Sequence, residues 1–449
     1  MAAKDPSIYE YIMIQSADGQ RTVNIEPAVV GIQYFEDIFS PTITAKMLIV
    51  NTGQSITQPE TGNTIQSLYN GLPIRGGERV VMKISGNSPD NPGLQFLKED
   101  PDKHLYVSSI TGVDRDANVE RFTLNLVSRE AITNETSRVG KKFVGGKISE
   151  DVQKIIKDEL KTKKPVDIDP TENRYGFIGN MRKPFTLLTW LAAKSVPGGE
   201  ETKGGDGTAG YCFYETNSGF KYKSIDSLIS QEPYDKDYIY TEVVDSSAME
   251  DDYKIIKYTT NENQDLLGKL KRGTYCSYRM YFDPLQLNYK DKIFEFGDYI
   301  GKVRPTGKPI SLPLVAEGAD KTLGEIPSRF ITAVIDRGTF DPDPTTTAKE
   351  LKDKKPPNAN PMRVQAQSLM RYNTIMTQTI SMIIPSNTNL EAGQMIKCTF
   401  PLITISTKKD DDTEQSGLYM IRALCHYFDA DGSYTSLELI KDTFGEQEK

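Results

Sequence analysis

The chain has 449 residues, of which 37% are hydrophobic and 26% charged, so it is long enough for about two to four domains with sizeable cores. Its 54 lysine and arginine residues stand against 62 aspartate and glutamate residues, a net charge of -8. This balance argues against a protein whose main task is to grip nucleic acid phosphates. The polar N-terminus and the lack of a long apolar run predict neither a Sec signal peptide nor a membrane-spanning segment.

The first section of the chain has the composition of an all-β domain. Five runs rich in β-branched and aromatic residues are separated by Gly, Pro and Asn. They are residues 28–39, 42–50, 79–85, 104–116 and 120–130. In the last run Phe122, Leu124 and Leu126 share one face, because side chains alternate along a strand. We predict a small barrel or sandwich that ends near Glu130.

Helical periodicity begins after this section. Residues 147–165 carry apolar side chains at helical spacing, with Ser149 as the predicted cap and Pro165 as the predicted end. A second helix is predicted to begin at Pro184, and a hairpin follows over residues 211–225 with its bend at residues 217–219. Together they predict a helix and hairpin module.

The remainder of the chain returns to strands. Strands are predicted at residues 238–247, 253–261, 274–296, 329–340, 377–385 and 392–403, and a helix at 364–372. The Pro-rich segment 341–361 predicts a flexible connection or an exposed loop. No internal repeat is visible at the level of residues.

Few residues in this chain are suited to catalysis. There are two histidines, His104 and His426, and neither a G-x-S-x-G nor an H-E-x-x-H motif occurs, which argues against a catalytic triad or a His-rich metal site. His104 lies at the entry to a strand beside charged residues, where a solvated or capping role is expected. A glycosidase needs only two carboxylates, but no pair stands out. We therefore predict no catalytic residue and no cofactor.

The four cysteines also fail to form a recognisable site. They are Cys212, Cys276, Cys398 and Cys425, widely spread and without C-x-x-C spacing. This pattern predicts reduced thiols, not a disulfide framework or a zinc site.

Three Gly-rich segments invite comparison with phosphate-binding loops. They are "RGGE" at 75–78, "VGGKIS" at 144–149 and "GKVRPTGKP" at 301–309. In the third segment Gly301 and Gly307 are six residues apart where a Walker loop needs five, and Pro309 stands where Ser or Thr is required. Turns are the better interpretation of all three. The acidic run 408–417 is predicted to be a solvated hairpin tip.

The stretch from Gly417 to Phe444 allows three interpretations: a thiol and base at Cys425 and His426, a calcium loop beginning at Asp429, or a hairpin. The calcium loop is excluded because its sixth position is Tyr434 and its twelfth is Ile440, where Gly and Glu are needed. Adjacent side chains on a strand point to opposite faces, so Cys425 and His426 cannot act as a pair.

The hairpin interpretation remains, with its bend at Asp431-Gly432. Strict alternation predicts one face with Tyr419, Ile421, Ala423, Cys425 and Tyr427. Both faces are largely apolar, which is expected where a barrel wall meets a neighbouring domain or subunit.

The order of these elements resembles the central baseplate hub of contractile phage tails, whose core also occurs in the spike proteins of type VI secretion systems. The most specific segments are the helix with Phe185, Leu188 and Trp190 followed by the hairpin through "YETNSGF", and the turn and strand "NLEAGQMIKCTF" with the terminal hairpin. The resemblance covers residues 25 to 445.

The resemblance implies a mainly β fold with minor α content and four domains. Two are tube-like antiparallel β-barrel domains, one is a helix and hairpin connecting domain, and one is an inserted β domain with a flexible Pro-rich end. The expected ranges are 1–130 for the first barrel, 131–235 for the connecting domain, 236–265 with 362–449 for the second barrel, and 266–361 for the insertion.

The resemblance further implies a homotrimeric, pseudo-hexameric ring that joins the tail tube to a central spike. Tape measure and other baseplate proteins are expected partners, and DNA is expected to pass through the channel without specific binding. The virion tail baseplate, assembled in the host cytoplasm, is the expected location. Because the chain stops at Lys449 without a needle repeat, we expect the piercing tip to be a separate polypeptide.

Two alternatives stay open from the sequence. The first is a hub or tail component with its own peptidoglycan hydrolase activity, and the weaker second is a receptor-binding tail protein. A wall with a net negative charge, if acids face the lumen, is expected to let DNA or a tape protein slide with little adhesion.

Overall fold

The fold is taken from a computed structural model of the full chain. The structure describes residues 4–446 with these exceptions: 54–55, 59–61, 63, 66, 73, 89–90, 117, 145, 199–206, 241–250, 263, 285, 301–304, 309–310, 337–360 and 403–409. The predicted Pro-rich connection therefore lies outside the described residues up to Pro361, which begins a helix.

The first section is built from strands, as predicted. Its elements are β1 Ile8–Gln15, β2 Thr22–Asn24, β3 Val29–Asp37, β4 Thr44–Asn51, β5 Ile56–Thr57, β6 Thr64–Ile65, α1 Leu68–Gly71, β7 Arg79–Ser85, β8 Leu94–Phe96, β9 Leu105–Arg115, β10 Glu120–Ser128 and α2 Arg129–Thr136. The five predicted runs correspond to β3, β4, β7, β9 and β10. The sequence analysis missed β1, which pairs with β7 and β2.

The middle section contains the predicted helices and hairpin. Its elements are β11 Lys142–Phe143, α3 Ile148–Asp158, β12 Val166–Ile168, β13 Phe177–Ile178, α4 Pro184–Ala192, β14 Tyr211–Thr216, β15 Gly219–Ser224 and α5 Ile225–Ser230. Helix α4 begins at Pro184 and buries Phe185, Leu188 and Leu191, as the periodicity predicts.

The last section completes the fold. Its elements are β16 Tyr238–Ile239, β17 Lys257–Glu262, α6 Leu266–Arg272, β18 Cys276–Asp283, β19 Asn288–Glu295, α7 Gly297–Ile300, β20 Arg329–Val334, α8 Pro361–Thr374, β21 Gln378–Pro385, β22 Met395–Thr399, β23 Gly417–Asp429 and β24 Ser433–Lys441. Strands β19, β18 and β20 form a separate three-stranded sheet.

One large sheet connects the first and last sections. Its order runs β17-β21-β24-β23-β3-β4-β10-β9-β7-β1-β2-β5-β6, and β23 pairs antiparallel with β3 at the join. The mainly β fold is confirmed. The two β-sections were expected from sequence to be separate units, and the hydrogen-bonded sheet that their strands share was not predicted.

Separate apolar clusters lie under this sheet. The first, around Met47, Leu124 and Phe96, is formed mainly by the first section, and another, around Leu437 and Tyr419, is formed by the last section. A third cluster fills the middle section between α3, α4 and the β14–β15 hairpin. Burial of these side chains is the main stabilising contribution to the fold.

The start of α3 differs from the prediction. Lys147 occupies the position before the first helical residue, and Ser149 lies inside the first turn, so the predicted Ser149 cap is wrong. The Ser149 N–H donates to Thr171 Oγ at 3.0 Å, and the Ser149 hydroxyl accepts from the Thr171 N–H at 3.2 Å. A residue distant in sequence thus satisfies this helix end. The helix also ends at Asp158, before Pro165.

The terminal hairpin is present, but its predicted faces are wrong on one side of a bulge. Strands β23 and β24 flank a turn at residues 430–432, as predicted. A β-bulge lies between Ile421 and Ala423, and an extra residue in a strand exchanges the faces beyond it. Tyr419, Ile421 and Leu424 therefore pack in one core, whereas strict alternation placed Leu424 opposite the other two.

Candidate functional site

One candidate site is a face of eight neighbouring strands of the large sheet, β17-β21-β24-β23-β3-β4-β10-β9. We call it the open face, because the opposite face of these strands covers the apolar clusters. One row across it is formed by Tyr427, Gln33, Lys46, Asn125 and Ser109, which are opposite one another in register. Neutral polar side chains thus dominate this row.

A groove of about 470 Å³ lies on the open face where β23 meets the first section. Its walls include Gln33, Lys46 and Tyr427. Nearby, the Asn125 side-chain amide donates to Ser109 Oγ and Thr111 Oγ, each at 3.1 Å. These side chains satisfy one another and are held in fixed positions on a rigid sheet.

The join between β23 and β3 is held on both faces. On the open face Arg422 donates to Asp37 Oδ2 at 3.0 Å and to Glu438 Oε2 at 2.6 Å, and so links three strands. On the core face the ring of His426 stacks on Tyr34, with 6.0 Å between ring centroids and 8° between planes. The join is therefore an internal part of the sheet and not a loose contact.

His426 is a structural residue. Its Nδ1 lies 3.0 Å from Thr435 Oγ, and its side chain is buried. Burial lowers the pKa of His426 to about 4, because the charged imidazolium is costly away from water. Cys425 is on the opposite face of the strand, and burial raises the pKa of its thiol to about 12. The two side chains thus lie on opposite faces of β23, as alternation predicts.

The other residues that the sequence analysis considered are also structural. Asp429 Oδ1 accepts from the N–H groups of Asp431 and Gly432 at 2.8 and 2.9 Å, which shapes the hairpin turn. His104 is buried and its Nε2 lies 2.9 Å from the Leu97 carbonyl oxygen. Of the two predicted roles for His104, solvated or capping, burial excludes the solvated one, and the contact with the Leu97 carbonyl oxygen holds a neighbouring loop.

The "RGGE" segment carries its own anion. The Glu78 carboxylate accepts from the Arg75 N–H at 2.6 Å and from the Gly76 N–H at 2.9 Å. Two N–H groups that could have bound a phosphate are thereby occupied. In "VGGKIS" residue 145, and in "GKVRPTGKP" residues 301–304 and 309, lie outside the described residues.

Buried charged groups form a joint between the first and middle sections. Lys164 Nζ donates to Glu130 Oε2 at 2.8 Å and to Glu215 Oε1 at 2.6 Å, and Glu215 also accepts from the Ile43 N–H at 3.2 Å. All three charged side chains are at most 5% exposed. The cavity beside them is about 10 Å³, which is room for one water and not for a sugar ring.

A second joint is centred on Glu36, where all three sections meet. Its carboxylate accepts from the Tyr34 hydroxyl at 2.8 Å, the Asn217 N–H at 2.7 Å and the Ala392 N–H at 2.9 Å. Burial, with a contribution from nearby Glu391, raises the pKa of Glu36 to about 8 in spite of these donors.

A third joint contains Arg371 of α8. Its guanidinium donates to Asp226 Oδ1 at 3.0 Å and to Asp442 Oδ2 at 3.1 Å, and all three residues are buried. Asp442 Oδ1 also accepts from the Thr306 N–H at 2.8 Å. None of the three joints was predicted from the sequence. Only Glu36 has a sequence signal, because it alternates with the buried Ile32 and Tyr34 on one face of β3.

Within the described residues, no group of three or more His, Cys, Asp and Glu side chains could hold a metal ion. No helix in this part of the chain combines the length and the apolar character needed to cross a bilayer.

The arrangement of one large antiparallel sheet with a helix and hairpin section is similar to the fold of a solved phage tail protein. The tail protein from Neisseria meningitidis MC58 aligns with a TM-score of 0.50 and 11% identity, over 96% of each chain. The predicted resemblance to phage tail proteins is thus confirmed at the level of the fold.

Two further solved structures are similar in outline. The 43 kDa tail protein of prophage MuSo2 from Shewanella oneidensis has a TM-score of 0.49 and 8% identity, over 96% of this chain and 98% of that chain. An Escherichia coli component of the type VI secretion system, described as similar to the T4 bacteriophage tail proteins gp27 and gp5, has a TM-score of 0.40 and 8% identity over 97% and 79%. No model of a known protein family and no curated protein sequence matches the chain.

Proposed function

We propose that this chain is the structural hub of a phage tail baseplate, which assembles as a homotrimeric, pseudo-hexameric ring between the tail tube and a central spike. The single observation that carries the proposal is the eight-stranded array in which β23 and β3 join the two β-sections into one wall. The fold shared with a phage tail protein supports it.

The dimensions of the array fit a channel wall. Strands are about 4.8 Å apart, so eight strands span about 38 Å. Three copies would close a cylinder with a circumference of about 115 Å and a diameter of roughly 37 Å. Such a cylinder leaves a passage after side chains are added. A single copy cannot enclose it.

The open face supplies a surface suited to the inside of that channel. Its central row is neutral apart from Lys46, and the charged groups beside the join, Arg422 with Asp37 and Glu438, neutralise one another. The groove beside the join also includes Asp429 and Asp431, so acids outnumber bases among the charged residues near the join. DNA phosphates would therefore find little to bind there.

The proposed division into domains follows the four ranges expected from sequence. The first apolar cluster falls in 1–130 apart from Phe428, and the middle cluster falls in 131–235. The buried joints at Lys164, Glu36 and Arg371 would keep these parts in one rigid subunit, which a protein that connects the tail tube to the spike requires.

A role as a hydrolase has no support among the described acids that are best placed for it. Glu215 lies in the connecting region, but it is enclosed and bound to Lys164. We therefore propose a protein without enzyme activity, whose location is the tail of the virion after assembly in the host cytoplasm.

The test is the mass of the purified chain, alone and mixed with its tail tube and spike proteins. The proposal predicts a trimer that joins both partners. A strict monomer that joins neither contradicts it. A turbidity assay on bacterial cell walls is run on the same sample, and lysis abolished by replacing one carboxylate in residues 131–235 would favour the hydrolase.

A further inference from the structure

The eight strands of the open face are two copies of one four-strand pattern. In sheet order the first set is β3, β4, β10, β9 and the second is β17, β21, β24, β23. In each set the first two strands lie side by side in chain order. The last two form a hairpin whose later strand, β10 or β24, lies next to them, so that the earlier strand, β9 or β23, is on the outside. A short 3-10 helix precedes the first strand of each set, at Glu26–Ala28 and at Asp251–Tyr253.

The hairpins of the two sets match residue by residue next to their turns, whereas β9 carries one extra residue between Asp114 and Thr111 that β23 lacks. The Asp116 N–H donates to the Val119 carbonyl at 2.9 Å, and the Asp429 N–H donates to the Gly432 carbonyl at 3.0 Å. Counting from these turns, the buried Leu124 and Leu126 of β10 correspond to the buried Leu437 and Leu439 of β24.

The correspondence extends through the strand registers to the remaining strands. Met47 and Ile49 of β4 correspond to Met382 and Ile384 of β21, and all four are buried. The structure thus contains a repeat that the sequence analysis did not detect, because only a few core positions retain the same residue.

The chain shows how two such sets meet edge to edge. The last strand of the second set, β23, pairs antiparallel with the first strand of the first set, β3, with Tyr427 opposite Gln33 and Asp429 opposite Gly31. The remaining two ends of the array are β9 and β17. Strand β9 is equivalent to β23 and β17 is equivalent to β3, so β9 and β17 are expected to pair as β23 and β3 do. Within one chain they cannot pair, because they lie at opposite ends of the eight strands.

Both of these ends present an open edge. Among the described strands, β9 borders only β10 over residues 108–114, and β17 borders only β21. Residues 108–114 are largely exposed, Val113 among them at 47%. A strand with one neighbour leaves half of its N–H and C=O groups available to another strand. A second copy of this chain offers the matching edge.

We propose that β9 of one copy pairs antiparallel with β17 of the next copy, with Asp114 opposite Thr259 and Asp116 opposite Lys257. This register follows from the β23–β3 pairing, in which Tyr427 is opposite Gln33 and Asp429 is opposite Gly31. Each of these four residues is replaced by its equivalent in the other set. It places opposite charges across the interface at Asp116 and Lys257, as favourable cross-strand pairs do. The contact is head-to-tail, so it closes a ring only when the rotation between copies allows it. It rests on the proposed ring and names its interface.

The first test is disulfide formation between copies in the double variant Asp114→Cys with Thr259→Cys. Opposite positions of an antiparallel pair lie about 4.5–5.5 Å apart, within the range for a disulfide. Mild oxidation is expected to link most chains into dimers and closed trimers. The control Asp114→Cys with Asn261→Cys shifts one partner along the same strand, and wild type and the single variants measure background from the native cysteines.

The second test uses charge. Lys257→Glu is expected to weaken association between copies by roughly tenfold, and Lys257→Glu combined with Asp116→Lys is expected to restore it. If wild type is trimeric but neither the cross-link nor the charge rescue occurs, this interface is wrong while the hub proposal stands. If wild type is a strict monomer that joins neither tube nor spike protein, both are wrong.

Discussion

Glu36 is the residue with the most unusual environment among the described acids of the joints. It lies where β3, the β14–β15 hairpin and the loop before β22 meet, and three donors point at its carboxylate. Its pKa is raised to about 8, so the folded chain retains a proton that the unfolded chain releases near pH 4.5. Protonation of this group therefore favours the folded state.

The pH dependence of stability follows from this sign. The contribution of the Glu36 proton is fully present below about pH 4.5 and is lost as the pH rises to about 8. Glu36→Gln cannot release a proton, so it is expected to flatten the decline of unfolding free energy across this range. Urea unfolding at several pH values measures the slope. Glu150→Gln, an exposed position on α3, is the control, and an unchanged slope in Glu36→Gln contradicts the assignment.

Lys164 provides a prediction of magnitude. Lys164→Met leaves Glu130 and Glu215 buried without their cation, and breaking a buried ion pair in this way costs about 3–5 kcal/mol. The full loss of unfolding free energy is expected at pH 8. A smaller loss is expected at pH 5, because one of the two glutamates can then take up a proton. Chemical denaturation gives the free energy.

Lys157→Met on the exposed side of α3 is the matched control for Lys164→Met. Surface changes of this kind alter stability by less than about 0.5 kcal/mol. Equal effects of the two substitutions would show that the buried joint contributes nothing particular.

At the level of elements, the loop before β22 is fixed by a close approach at one glycine. Gly393 has φ +88, in the left-handed region, and a Cβ built there would lie 2.3 Å from the Tyr214 hydroxyl oxygen. Gly77 has the same φ of +88, but nothing lies within 4 Å of its Cβ position. Alanine substitutions at these two glycines therefore distinguish the cost of backbone strain from the cost of a steric clash.

Gly393→Ala is expected to destabilise the fold by about 1–3 kcal/mol more than Gly77→Ala, since both pay for the left-handed backbone and only the former also overpacks the site. Thermal unfolding of the two variants measures the difference. Equal shifts in Tm would mean that the hairpin and this loop are not in firm contact.

The elements that sequence could predict are those with local patterns. Alternation identified β10 through Phe122, Leu124 and Leu126, and Pro184 marked the start of α4. The start of α3 is held by Thr171, which local patterns cannot identify. The bulge near Arg422 changed the faces of β23, and a bulge adds one residue without a characteristic sequence.

At the scale of the whole molecule, the separation of the Cys425 and His426 side chains was predictable and the joints were not. Cys425 and His426 were excluded by strand geometry alone. Lys164 sits in the run "KTKK", which in sequence resembles a solvated segment, and its burial depends on two glutamates that are distant in the chain. The pairing of β23 with β3 likewise joins residues about 390 positions apart.

The duplicated four-strand pattern unites these observations. One set cannot enclose a channel, and two sets joined in one chain still end in open edges. Repetition of the internal join between copies would remove these edges and produce a continuous wall. A structural role in a tail accounts for the fold, the buried joints and the open face together.

Electron cryo-microscopy of the assembled tail tests the central claim most directly, because it gives copy number, position and orientation in one image. The account predicts three copies in a ring at the junction of tube and spike, with the open face lining the passage and β9 beside β17 of the next copy. A copy number other than three on the axis, or a peripheral position away from the passage, would contradict it.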